Sequence, residues 1–127
     1  IQVLSKEHQF EKWANFPKER EKLLKLLETY QVNGAILLSG DRHIAEISKI
    51  DIPGIQHPVY DVTSSGLTHT WKNYQEEVNS HRVGDLIAKL NYGLIELDWK
   101  EQEVDVTLEV RGIEDSLYLK ESFVRKF

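Results

Sequence analysis

Residues 35–46 read Ala35-Ile36-Leu37-Leu38-Ser39-Gly40-Asp41-Arg42-His43-Ile44-Ala45-Glu46, and the rest of the chain is organised around them. Ala35 to Ser39 is an apolar run too brief for a helix, entered through Asn33-Gly34 and left through Gly40, which predicts a buried strand. In an open α/β sheet, ligands bind just beyond the carboxyl ends of strands, so Asp41, Arg42 and His43 stand where chemistry is usually done. If the chain stays extended for one more step, the two-residue spacing points Asp41 and His43 to the same side. A carboxylate oxygen and an imidazole nitrogen could then converge on one or two divalent metals. The plainer alternative makes Asp41 a turn cap and His43 an ordinary surface side chain, since motifs this short often arise by chance.

Upstream, Ile1 to Leu4 reads as the end of a strand, and a helix is expected from an N-cap at Ser5, with Phe10, Trp13 and Ala14 on one face and Trp13 as a core anchor. Pro17 suits the first turn of a second helix running to Gln31, whose apolar stripe is Leu23, Leu24, Leu27 and Tyr30 and whose stop signal is Asn33-Gly34. Downstream, Ile44 to Ile50 fits neither the helical nor the strand period cleanly and is read as a strand with a short continuation. Asp51 to Gly54 is a turn. His57 to Thr63 is a further strand, rich in β-branched and aromatic residues and ending at Ser64-Ser65-Gly66. Two strands that end in small polar residues, lying side by side, would build one rim of a cleft.

Leu67 to Ser80 is expected to be a loop with a helical turn, and Val83 to Leu90 a short irregular segment. From Leu94 the segments LIELDW, EVDVTLEV and SLYLKESFV alternate in and out, with turns at Lys100–Glu103 and Arg111–Asp115, which predicts an antiparallel β-meander. No linker, internal repeat or low-complexity segment divides the chain, so residues 1–127 read as one domain of mixed α/β (α+β) class.

The chain has 127 residues, enough for a core, and its 40% apolar and 29% charged composition is that of a globular protein. No apolar run approaches the roughly 20 residues of a transmembrane helix. A net charge of −5 argues against a dedicated nucleic-acid binder, although phosphate chemistry needs no basic protein where metal ions supply the positive charge. With no cysteine, disulfides and thiolate ligands are excluded, and any metal must be held by carboxylate, imidazole or backbone oxygen.

Ser39-Gly40-Asp41-Arg42-His43 with Ile44-Ala45-Glu46 resembles the last metal-binding loop of the alkaline phosphatase D-like metallophosphatases, in the calcineurin-like phosphoesterase superfamily. Further segments resemble the family in order: Trp13 with Phe16 to Arg20, Val62 to His69, Asn79 with His81 to Gly84, and Asn91-Tyr92-Gly93. The resemblance spans about Ile1 to Arg111. It implies the C-terminal half of a metallophosphoesterase-type β-sandwich flanked by helices, with the meander as an edge extension of one face. The family's N-terminal ligand loops, of Asp-x-His, Gly-Asp-x-x-Asp and Gly-Asn-His type, are absent, so the resemblance implies a partial catalytic domain that is inactive alone and needs the missing N-terminal half.

The activity implied is metal-dependent hydrolysis of a phosphate ester. Asp41 and His43 would serve as metal ligands and catalytic residues in a site for two metal ions, iron and calcium by family, with manganese or zinc as alternatives. Relatives are often exported, which implies a periplasmic or extracellular address. Arg42 could clamp a phosphate oxygen or pair with a carboxylate of the fold. Glu46 could orient His43 or be solvated. Ser64, Ser65 and His69 are expected to line the substrate cleft, because the Gly-x-Ser-x-Gly elbow of a serine hydrolase is absent. In His81-Arg82, Arg82 could reach phosphate or form a surface pair, and His8 and His57 receive no role. The competing reading is a self-sufficient interaction module that meets a partner, or a second copy, through the sheet edge from Leu94 to Phe127.

Overall fold

The computed structural model describes residues 1–127. One α-helix and seven strands make a mixed α/β structure that is mostly sheet: α1 (Pro17–Thr29), β1 (Ile36–Ser39), β2 (Ala45–Ile50), β3 (Val59–Ser64), β4 (Arg82–Ile87), β5 (Tyr92–Trp99), β6 (Glu103–Arg111) and β7 (Leu117–Lys126). The first four strands form an open sheet in the order β1-β3-β2-β4, with β1 parallel to β3 and the other pairs antiparallel; the last three form an antiparallel sheet in the order β5-β6-β7. The meander is therefore a complete second layer rather than an extension of the first sheet, because none of its strands pairs with β1–β4.

The two sheets pack face to face. Ala45 and Ile47 of β2, Tyr60 and Val62 of β3, and Val104, Val106, Leu108 and Val110 of β6 are all buried in one cluster, with Ile36, Ile87, Leu119 and Phe123 packed against it. Period-two alternation on β6 puts every second residue inward, and this clean signal made the meander legible. The opposite face of the first sheet is polar yet covered. Glu46, Ser48, Asp61 and Thr63 are buried there beneath the N-terminal segment, where Gln2, Leu4 and Ser5 are buried too. Both faces of β2 are thus enclosed, which is why Ile44 to Ile50 shows no amphipathic period.

Several expectations are corrected. Residues 5–12 form no helix, and only a 3₁₀ turn at Trp13–Asn15 appears. The His8 ring accepts from the Phe10 amide at 3.2 Å, so a side chain satisfies a donor that a helix would have used internally, and just upstream the Asp61 carboxylate captures the Val3 and Leu4 amides at 2.7 and 2.9 Å. The helix from Pro17 forms as expected but ends at Thr29, closed by left-handed Gln31 (φ 52°) with Val32 N–H donating to the Leu27 carbonyl and Gln31 N–H to that of Glu28. None of its residues is buried, and it is the only α-helix, so the sheets are not flanked by helices.

Val83 to Leu90 is largely strand β4, not irregular. Its alternation is masked by Gly84 (φ 72°), where the pairing with β2 shifts register. Leu67 to Ser80 is a loop as expected, without a helical turn.

The expected buried strand, β1, is a sheet edge. It pairs only with β3, and Leu38 is 70% exposed. On the facing sheet, Ile95, Leu97 and Trp99 stand in register with Leu108, Val106 and Val104 and so face inward, yet are 36%, 48% and 63% exposed. The second sheet extends one strand beyond the cover the first provides.

Candidate functional site

The parallel register Ser39↔Thr63 brings the ends of β1 and β3 side by side, as the two small polar strand ends implied, so the Asp41–His43 loop and Ser64–Gly66 form one rim. The loop is not extended. Asp41 (φ 72°) and His43 (φ 52°) are both left-handed, a conformation that Asp and His tolerate better than most residues. Two such turns separated by Arg42 still leave Asp41 and His43 on the wall of one cleft, of about 320 Å³, with Phe10, Glu11, Arg42 and Trp71. Both side chains are exposed, and neither makes a hydrogen bond within the chain.

Arg42 turns the other way and is buried. Its guanidinium donates to both Glu77 oxygens, at 2.7 and 2.9 Å, and to Gln2 Oε1 at 3.0 Å, and it lies 4.5 Å from the Phe10 ring centre. Of the two roles open to it, the carboxylate pair is the one observed, and the guanidinium is not free to clamp phosphate. Glu46 does not orient His43: it sits on the covered face of β2, accepting from Gln2 Nε2 and, at 2.6 Å, from Arg82 Nε. That pair engages Arg82 through Nε, a buried pair rather than a surface one.

Ser64 Oγ donates to Asn91 Oδ1 at 2.9 Å, and Ser65 Oγ donates to the Ile44 carbonyl at 3.3 Å, so both hydroxyls serve the fold. Gly66 must be glycine, since a Cβ there would stand 2.1 Å from Asn91 Nδ2. His69 does reach the site: its ring centre lies 4.0 Å from that of His43, at 64° between planes. The Ser65 amide donates to the Ile44 carbonyl at 3.1 Å and the Trp71 amide to that of His43 at 3.3 Å, holding the two loops together.

Two groups absent from the sequence-derived site matter here. His8 lies buried in the N-terminal segment; burial, reinforced by Arg42, pushes its pKa down to about 4, and its Nε2 has no partner. Glu77 anchors Arg42 from the 67–80 loop. Neither had a local signal, for Glu77 acquires its role by a contact 35 residues away and His8 by burial that the sequence around it does not announce. Burial, and then the charges of Lys6 and Arg20, also lower the pKa of His81.

Asp41 and His43, free of side-chain hydrogen bonds, and His69, bonded only through Nδ1 to the Thr68 hydroxyl, are ligand types that bind hard or borderline cations, and this fits one wall of a metal site. They are not a whole site, since no three His, Asp or Glu side chains converge where they could hold one ion. No helix is long and apolar enough to cross a membrane. No protein-family model, curated protein or solved structure matches the chain.

Proposed function

We propose that this chain carries one wall of a metal-dependent phosphoric ester hydrolase site, of alkaline phosphatase or phosphodiesterase type, completed by donors from polypeptide outside these 127 residues. The observation that carries the reading is the pair of free side chains, Asp41 and His43, at the joined ends of two parallel strands and on the wall of one cleft. Asp41 and His43 would hold the metal, a hard oxygen and a borderline nitrogen suited to calcium, manganese, iron or zinc. A metal bound there supplies positive charge to a phosphoryl oxygen and acidifies a water. The chain's own residues do the positioning. The Arg42–Glu77 pair fixes the loop between the two donors, while Phe10 and Trp71, edge to face at 5.0 Å, form part of the cleft wall beside them.

Hydrolysis of p-nitrophenyl phosphate and bis(p-nitrophenyl) phosphate, with iron, calcium, manganese or zinc supplied, tests this. The 127-residue chain is expected to turn over no faster than its His43→Ala variant. In the longest polypeptide that carries these residues, His43→Ala is expected to lower kcat/KM by about 10²–10³-fold. A metal-loaded long polypeptide inert toward both esters overturns the reading, and vigorous turnover by the 127-residue chain overturns its partial character.

The uncovered inner face of β5 favours a second reading, an interaction module in which a second copy covers Leu38, Ile95, Leu97 and Trp99. A contiguous apolar surface of this kind marks an association site. Light scattering is then expected to give a dimer that persists in chelator and dissociates on Trp99→Lys. A monomer at all concentrations removes this reading.

A further inference from the structure

We infer that His69 is a metal ligand, forming with His43 a two-imidazole seat for a borderline divalent cation such as Zn²⁺ or Co²⁺. The inference rests on the proposed metal site and extends its donor set from the Asp41 loop to the loop after β3.

The two rings lie with centres 4.0 Å apart at 64°. Around one tetrahedral ion, with Zn–N bonds of about 2.0–2.1 Å, the ring centres would stand roughly 5.2 Å apart, so the two exposed rings must separate by about 1.2 Å, within reach of side-chain rotation, to convert the contact into a chelate. Simple aromatic packing is the competing explanation of the contact, and two further observations weigh against it. His69 Nδ1 lies 3.1 Å from the Thr68 hydroxyl. An Nδ1–H that donates to this oxygen leaves the Nε2 lone pair free, the orientation that ligating histidines are usually given by a neighbouring acceptor. His43 is held at φ 52°, a conformation that costs energy and is kept here by the bracketing hydrogen bonds Ser65 N–H to Ile44 O and Trp71 N–H to His43 O. These bonds tie the backbone at 43–44 to that at 65 and 71, so the two loops that carry the imidazoles are held side by side. Imidazole pairs favour zinc, copper, nickel and cobalt over calcium.

The test is calorimetric titration of the 127-residue chain with Zn²⁺, alongside Co²⁺ titration followed through the NMR signals of its five histidines. The expected result is one Zn²⁺ per chain, early paramagnetic loss of the His43 and His69 ring signals only, and at least tenfold weaker binding by His69→Gln. The circular dichroism and thermal midpoint of His69→Gln should be unchanged, because that side chain is exposed. If His69→Gln binds as tightly as the parent, or if the His43 signal is lost while that of His69 survives, His69 is not a ligand and the inference falls, while the Asp41–His43 reading stands. If no histidine signal responds and no Zn²⁺ binds, the inference also falls, and the hydrolysis assay on the longer polypeptide alone decides the proposed function.

Discussion

Asp61→Ala is expected to lower the unfolding free energy by about 3–5 kcal/mol, a large share of the 5–15 kcal/mol typical of a small domain. Asp61 is buried, and it is a hub rather than half of an ion pair. One carboxylate oxygen accepts the Val3 and Leu4 amides at 2.7 and 2.9 Å, and the other accepts the Ser39 hydroxyl at 2.8 Å. Hydrogen bonds to an ionised group each contribute about 1.5–3 kcal/mol, and truncation strands the Val3 and Leu4 amides where water reaches poorly. Asp61→Asn should cost only about 1–2 kcal/mol. Its Oδ1 can still take the two amides and its Nδ2 can donate to Ser39 Oγ, which lies 2.8 Å from Thr63 Oγ1 and can turn its own proton there. Urea unfolding of the two variants separates shape from charge. Equal losses would place the effect in the charge, and an Asp61→Ala variant as stable as the parent would mean that residues 2–5 are held by something else. The consequence reaches the cleft, because those residues present Gln2 to Arg42.

What the chain disclosed in advance follows the range of the interactions involved. The meander was readable because alternation along β6 is a local consequence of one face meeting the core. The helix from Pro17 was readable because proline at its first position is a local signal. The segment from Ser5 to Lys12 was misread because its Phe10 amide is taken by the His8 ring rather than by the carbonyl of a helical turn, while Asp61 pins the Val3 and Leu4 amides that lead into it. Alternation in Tyr60-Asp61-Val62-Thr63 did carry a usable sign: a strand with one apolar and one polar face, whose polar face demands donors from elsewhere. At the site, the residue types and the meeting of two strand ends were legible, whereas the loop's left-handed turns and the approach of His69 to His43 were not. A two-residue spacing determines direction only in extended chain, and contact between residues 43 and 69 depends on the parallel pairing of β1 with β3.

The N-terminal segment that walls the cleft is also expected to make the fold acid-sensitive, through His8. An unfolded histidine titrates near 6.5, whereas burial, with Arg42 and then Lys12 adding to it against the opposing charges of Glu77 and Glu46, holds folded His8 at about 4. Above pH 6.5 both states are neutral and His8 adds nothing to the pH dependence. As pH falls from 6.5 to about 4, the unfolded chain takes up a proton that the folded one refuses, so stability falls through this window by about 2–3 kcal/mol and levels off below it. Carboxylates held low in the fold, such as Glu109 beside Arg111 and Lys120, lose their contribution at more acidic pH, so the upper part of the window belongs to histidine. His81, also lowered, acts in the same direction.

His8→Asn offers an amide oxygen to the Phe10 N–H in place of Nδ1 and removes the titration; it should flatten the slope between pH 6.5 and 4.5 while changing stability at pH 7 by less than about 1 kcal/mol. Adding a His81 substitution should flatten the remainder. Protonating His8 would also remove the acceptor for the Phe10 amide, and Phe10 is the ring that covers Arg42 beside Asp41 and His43. The protection of the Phe10 amide against hydrogen exchange, taken relative to its intrinsic rate at each pH, should therefore fall on acidification before global unfolding begins. An unchanged slope in His8→Asn, or a Phe10 amide that exchanges only with the whole fold, would show that His8 holds neither the wall of the cleft nor the pH dependence.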